Sequence, residues 1–113
     1  MTTDLLRIET EESGSSARMA LVGELDLSTT MLLMEEFVRL TTGPIRHIDV
    51  DLSELNYTDS SGLSVFVTAH MQCRDAGITL RFVDPSLFII NLFEVTSLGQ
   101  VLDVGASETS LPA

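Results

Sequence analysis

Apolar and polar residues alternate along this chain in two periods, one typical of strands and one typical of helices. A period of about two predicts strands over 5–11, 17–22, 45–52, 78–83 and, more weakly, 101–104. A period of three to four predicts helices over 31–40, 63–76 and from 85 to about 93. Strands alternating with helices indicate an α/β fold with an N-terminal hairpin and largely parallel pairing.

Short polar segments mark the predicted boundaries of these elements. Gly23 is expected to end the second strand, and 53–58 is expected to be a connection. Asp26 to Ser28 offers caps for the first helix, and Gly43-Pro44 stops that helix, since proline cannot continue it. A further cap is expected at Asp84, because Pro85 suits a first helical position.

Several apolar side chains on the three helices are expected to pack into the core. We expect this of Met31 and Met34 on the first helix, of Cys73 on the second, and of Leu87, Ile90 and Phe93 on the third.

The length of 113 residues fits one domain, 1–113, with a core at about 5–104 and a flexible polar tail at 105–113. No apolar run approaches the roughly 20 residues that span a bilayer. The first four residues lack the basic region of a signal peptide, so we expect a cytoplasmic protein without a membrane partner.

The charge balance narrows the possible partners. Seventeen acidic residues oppose six basic ones, all arginine, for a net charge of -11. The absence of lysine excludes a P-loop lysine and a Schiff-base lysine. The acidity argues against nucleic acid and anionic membranes, and it favours a protein partner with a basic or mixed surface.

Patterns typical of enzymes are missing or weak. A Gly-x-Ser-x-Gly elbow is absent, and His70 lies more than two helical turns from Ser61. Two sets of side chains are spaced so that they could share a metal. We expect His47, Asp49 and Asp51 to form a solvated sheet face instead, and His70 and Cys73 to belong to a helix flank or core. We therefore expect no catalytic activity, no metal and no cofactor.

Two junctions between a strand end and a helix start remain, at 23–26 and 58–62, where function gathers in parallel sheets. In Asp59-Ser60-Ser61-Gly62, aspartate and serine are preferred N-caps and glycine tolerates a tight turn. A serine here can also be phosphorylated. Taken alone, these four residues favour a purely capping role.

Longer segments around both junctions change that preference, because their order and spacing resemble the bacterial anti-sigma factor antagonists, which are single STAS domains. The resemblance runs from Leu5 to Val104. It is carried by Gly23-Glu24-Leu25-Asp26, Ile45-Arg46-His47-Ile48, Asp51 to Leu63, Asp84-Pro85-Ser86, Leu92-Phe93 and Leu98. It implies a small mixed β-sheet with helices packed largely on one face.

The resemblance also implies a function. Such proteins bind a cytoplasmic anti-sigma factor, a serine kinase of the histidine-kinase-like ATPase type, and thereby free its sigma factor. Phosphorylation of a serine switches these proteins off, and a serine phosphatase removes the phosphate. In this chain the implied acceptor is Ser60. Asp59 would flank the acceptor and Ser61 would cap the helix. Asp26 and Gly62 would complete the partner-binding surface.

Two other interpretations stay open. One is a constitutive STAS scaffold, or an accessory subunit of a stress or transport complex, in which Ser60 is only a cap. The other is a small-ligand or nucleotide sensor, against which the acidic junctions and missing lysine argue. The short tail after Gly105 and the polar Thr58 depart from the family pattern and leave the exact partner open.

Overall fold

The computed structural model of the chain describes residues 2–107, and it contains the expected elements in the expected order, although the last strand begins at Val104 and not at Val101. The strands are β1 (Leu6–Ser13), β2 (Ser16–Leu25), β3 (His47–Thr58), β4 (Thr79–Val83) and β5 (Val104–Gly105). The helices are α1 (Thr30–Thr41), α2 (Ser60–Ala76) and α3 (Leu87–Thr96), followed by a short 3₁₀ turn at Leu98–Gln100. Of the predicted tail, 108–113 lies outside the described residues.

The five strands form one sheet in the order β1-β2-β3-β4-β5. The hairpin strands β1 and β2 are antiparallel, and every later pair is parallel. The predicted mixed sheet with an N-terminal hairpin is therefore confirmed. Because β2 to β5 run in one direction, their carboxyl ends lie at one edge of the sheet.

Right-handed crossovers between consecutive parallel strands carry α1, α2 and α3 to the same face of the sheet. The core lies between that face and the helices. Its fully buried members include Leu21, Ile48, Val50, Leu52, Phe66 and Phe82. Cys73 is also buried, as expected, and burial raises the pKa of its thiol.

No helix within 2–107 is both long and apolar enough to cross a bilayer.

The opposite face of the sheet carries charges of alternating sign across the strands. Glu11 lies opposite Arg18, Arg18 opposite Asp49, and Asp49 opposite Arg81. Asp103 continues the row, 3.7 Å from the Arg81 guanidinium. Such cross-strand pairs favour the observed register.

The side chains on this face whose spacing could suit a metal contact one another or Arg18 instead. The Nε2 atom of His47 lies 2.9 Å from Asp49, and Arg18 donates to Asp51 at 3.0 Å. Among the described residues, no three His, Cys, Asp or Glu side chains are placed to share a metal.

Strands β2 and β3 are longer than predicted. The expectation that Gly23 ends β2 is wrong: Gly23 adopts a positive φ of 114°, and a Cβ there would lie 2.1 Å from the Leu5 carbonyl oxygen. The register between β2 and β3 shifts near this point. As a result, the buried positions of β3 change from a spacing of two to a spacing of three, at Leu52, Leu55 and Thr58. Residues 53–58 are therefore strand rather than connection.

The third helix begins later than predicted. Its N-cap is Ser86 rather than Asp84, and the Ser86 side chain accepts from the backbone N–H of Ile89. Asp84 instead adopts a left-handed φ of 52° and accepts from the backbone N–H of Ser107. The buried residues are Ile89 and Phe93, which are four residues apart and so lie on one face of the helix. The expected burial of Leu87 and Ile90 is wrong, because both are exposed.

Helix α1 buries a narrower stripe than predicted. Leu33, Phe37 and Leu40 pack on the sheet, whereas Met31 and Met34 are exposed and not core residues. This stripe covers the sheet at this position, Leu32 packs partly buried beside it, and Met31, Met34 and Val38 face outward.

A carboxylate takes part in this buried stripe. Glu36 is buried and accepts hydrogen bonds from the Thr10 hydroxyl of β1 and from the Arg39 guanidinium. Arg39 also pairs with Glu12 at 3.0 Å. The hydrogen bond from Arg39 is the main cause that holds the pKa of Glu36 below its usual value. Desolvation by burial raises this pKa, and the hydrogen bond from Thr10 lowers it further. The network fastens the edge strand to α1.

We predict that Glu36→Gln lowers the free energy of unfolding at pH 7 by about 1–2 kcal/mol, because charge-assisted hydrogen bonds weaken. Since the folded-state pKa of Glu36 is lowered, its contribution is complete above the unfolded-state pKa of roughly 4.3 and disappears as pH falls through the folded pKa. Urea denaturation at several pH values measures both effects. The neighbouring exposed Glu35→Gln serves as control, and an equal loss for both variants would refute the role of the network.

Candidate functional site

Parallel pairing of β2 and β3 brings the two predicted junctions side by side. The last register pair joins Leu25 to Thr58, and the backbone N–H of Asp59 donates to the Leu25 carbonyl at 3.3 Å. The turn that follows β2 and the start of α2 therefore share the carboxyl edge of the sheet. This edge is where parallel sheets usually place their functional residues.

The carboxylate of Asp59 organises the edge. Its Oδ1 atom accepts from the backbone N–H groups of Ser61 at 3.0 Å and Gly62 at 3.2 Å, and from the Ser61 hydroxyl. The backbone N–H of Leu27, in the turn before α1, also lowers the pKa of Asp59. Asp59 has an extended backbone, as an N-cap requires. Through its backbone and its carboxylate, Asp59 thus joins the end of β2 to the start of α2.

The prediction that Ser61 caps α2 is wrong, because Asp59 does so. Ser61 lies inside the helix, and its hydroxyl donates to the cap instead of accepting from a helix N–H. This hydroxyl is the main cause that holds the pKa of Asp59 below its usual value. Desolvation opposes it, and the N–H groups of Gly62, Ser61 and Leu27 reinforce it. A negative charge is therefore fixed beside Ser60 at neutral pH.

Ser60 differs from Ser61 in its surroundings. It is the first residue of α2 and is exposed. Within residues 2–107 its hydroxyl forms no hydrogen bond, whereas its backbone carbonyl accepts from the Ser64 hydroxyl at 2.9 Å. Of the two serines, Ser60 presents a free hydroxyl at the rim of the sheet.

Asp26 shapes the turn between β2 and α1. Its carboxylate accepts from the backbone N–H of Ser28 at 2.9 Å and from the Ser28 hydroxyl at 2.6 Å. The N-cap of α1 is Thr29, so the prediction that Asp26 to Ser28 supplies the cap is wrong. The carbonyl of its neighbour Leu25 accepts a hydrogen bond from the backbone N–H of Asp59, and the backbone N–H of its other neighbour, Leu27, lowers the pKa of Asp59. Asp26 is thereby held at the same edge.

Gly62 has a packing role that the sequence did not indicate. A Cβ on Gly62 would lie 2.0 Å from the Thr58 hydroxyl oxygen and 2.8 Å from a Leu25 methyl carbon. Its φ is not positive, so a tight turn is not what requires glycine here. The start of α2 instead packs against the ends of β2 and β3 at a distance that excludes a side chain.

This edge is surrounded by apolar side chains that were expected in the core or for which the sequence predicted no role. Leu27 is exposed in the turn before α1, and the ring of Tyr57 lies 5.8 Å from that of Phe88 on α3. A groove of about 440 Å³ between α1 and α2 begins at Ser61. The two junctions at strand ends were the sequence signal that pointed to this surface. No sequence signal indicated the exposed apolar side chains that surround it.

The charge at this edge is negative. Glu24, Asp26 and Asp59 form no ion pair with any arginine or histidine among the described residues. Carboxylates without cationic partners, beside exposed apolar side chains, suit a protein surface that supplies basic groups.

Comparisons with known proteins place this geometry in context. The family model described as "Mlab, STAS domain" matches residues 8–103. The chain is 26% identical to the anti-sigma-B factor antagonist of Bacillus subtilis over 101 residues, covering 89% of this chain and 92% of the relative. It is 32% identical to that of Listeria monocytogenes over 84 residues, covering 73% and 72%.

Solved structures agree with the fold. The unphosphorylated anti-sigma factor antagonist SpoIIAA matches with a TM-score of 0.77 at 19% identity, covering 91% of this chain and 90% of that one. The phosphorylated form of SpoIIAA from Bacillus matches with a TM-score of 0.72 at 19% identity, covering 91% and 94%. The same arrangement of strands and helices thus exists in both phosphorylation states of that protein.

We predict that Gly62→Ala lowers the free energy of unfolding by about 1–3 kcal/mol, because the new methyl group overpacks the contact with Thr58 and Leu25. Gly99→Ala is the matched control, since a Cβ at Gly99 meets nothing within 4 Å. Thermal unfolding of both variants measures the difference. Equal melting temperatures for the two would show that α2 does not pack on the strand ends as described.

Proposed function

This chain belongs to the STAS domain family and to its anti-sigma factor antagonists, and from that membership we propose that phosphorylation of Ser60 controls its binding to an anti-sigma factor. In the unphosphorylated state the chain binds that factor in the cytoplasm and frees the sigma factor. The observation that carries the proposal is the exposed Ser60 hydroxyl, which no described residue engages, beside a Ser61 hydroxyl bound to Asp59.

The proposed partner is an anti-sigma factor that is also a serine kinase of the histidine-kinase-like ATPase type, and a serine phosphatase restores the active form. Support comes from the relatives, which are named as antagonists of an anti-sigma-B factor. Further support comes from SpoIIAA, of which a phosphorylated form has been solved. In this scheme the chain is a regulatory binding protein that needs no catalytic group or cofactor of its own.

The fold should tolerate a phosphate on Ser60. The side chain points into solvent at the first position of α2, so no core contact is lost. The positive end of the helix dipole also favours an anion at this position. The modified chain is therefore expected to keep its structure.

The interface should not tolerate the phosphate. The N–H groups of Ser61 and Gly62 already bind Asp59, so they are not free to neutralise a second anion. A phosphate adds about -1.5 to -2 charge next to the Asp59 carboxylate, near Asp26. Desolvating this charge against a partner at a cost of roughly 3 kcal/mol would weaken binding about 100-fold.

We predict that the cognate kinase and ATP add one phosphate, at Ser60, as measured by mass spectrometry of peptides. Ser60→Ala should bind the kinase like the wild type, whereas Ser60→Asp should bind roughly 100-fold more weakly in calorimetry. Ser15→Asp, which adds the same charge at the hairpin turn near the opposite edge of the sheet, is the control and should bind normally.

Two outcomes would contradict the proposal: phosphate found on Ser61 alone, or full affinity of Ser60→Asp. If no kinase modifies the chain and it co-purifies stably with another complex, the constitutive scaffold is the better account.

A further inference from the structure

Helix α1 and the turn before it present a stripe of exposed apolar side chains. Leu27, Met31, Met34 and Val38 have exposed fractions of 78%, 63%, 46% and 57%. On α1, the spacing of three and then four residues places these side chains along one face. We call Leu27, Met31, Met34 and Val38 the α1 stripe. It is separate from the side chains of α1 that pack on the sheet.

The α1 stripe borders the groove between α1 and α2. Met34 and Val38 form one wall of this groove, and Val65 and Ala69 contribute apolar side chains from α2. The other positions of α2 along the groove carry uncharged polar side chains: half-buried Ser61 and exposed Ser64, Thr68 and Gln72. The groove is therefore a shallow apolar trough between α1 and α2, and we call it the trough below.

The trough is continuous with the proposed phosphorylation site. Ser61 lines its end, directly after Ser60 in the chain. At the same end, Leu27 lies in the turn before α1, and its backbone N–H lowers the pKa of Asp59, the residue before Ser60. A partner that covers Ser60 can therefore extend along the α1 stripe without crossing a gap.

We propose that the α1 stripe and this groove bind an amphipathic helix of the same anti-sigma factor, an inference that rests on the proposed function. A helix fits because its apolar side chains at i, i+3 or i+4 and i+7 match a trough of this kind. Methionine suits such a surface, since its flexible thioether adapts to the opposing side chains. The α1 stripe gives the partner apolar contact area in addition to the contact at Ser60.

The charges beside the trough indicate basic residues on that helix. Glu35 is exposed on α1 next to Met34 and forms no ion pair within residues 2–107, and Glu24 and Asp26 lie toward the other end. The one arginine of α1, Arg39, is bound to Glu36 and Glu12. A partner helix with lysine or arginine flanking its apolar face would complement this surface.

A second copy of the chain fits the trough poorly. Each copy carries a net charge of -11, and the acids beside the α1 stripe would face one another in a symmetric pair.

The test measures binding of the purified cognate anti-sigma factor to the full unphosphorylated chain without ATP. We predict that Met34→Glu weakens binding by about 30-fold, the effect of losing one hot-spot side chain. Met71→Glu is the matched control, because Met71 is 48% exposed on α2, does not line the groove, and should bind within about twofold of the wild type. Unchanged melting temperatures would show that both variants are folded.

The outcomes separate this inference from the proposed function. Normal binding by Met34→Glu alongside a tightly binding wild type would overturn the helix site alone. Failure of the wild type to bind any anti-sigma factor would overturn both proposals. Sedimentation showing a wild-type dimer that Met34→Glu dissociates would assign the trough to a second copy and overturn the inference as well.

Discussion

The carboxylate of Asp59 holds together three segments that the sheet brings to one edge. It accepts from the first turn of α2 and from the Ser61 hydroxyl, and the backbone N–H of Asp59 binds the end of β2. The backbone N–H of Leu27, in the turn before α1, lowers the pKa of this carboxylate. Parallel pairing of β2 and β3 is the condition for this arrangement, because it places both strand ends side by side. The position of Ser60 depends on both features.

This arrangement gives the two serines different roles. Ser61 is committed to the cap through its hydroxyl, whereas Ser60 stays exposed at the same helix start. The cap also uses the N–H groups that would otherwise neutralise an anion on Ser60. Under the proposed function, a phosphate there would change the surface that a partner meets and leave the packing of the sheet and helices unchanged.

The order of the elements and the mixed sheet followed from periodicity and from the glycine, proline and aspartate residues at the boundaries. Both candidate junctions could be located for the same reason. The ends of β2 and β3 could not be predicted, because shifts in the β2–β3 register changed the spacing of buried residues in β3 from two to three at Leu55 and Thr58. The close packing of Gly62 and the outward position of Met31 and Met34 also depend on how α1 and α2 meet the sheet, which local patterns do not encode.

The most direct test of this account compares the chain carrying phosphoserine at position 60, introduced during translation, with the unmodified chain by amide NMR. We predict shift changes confined to about residues 24–30 and 58–64, with the signals of the core strands unchanged. Widespread changes in β3, β4 and α2, or loss of signal dispersion, would contradict it by showing that the modification acts through the fold and not through the surface.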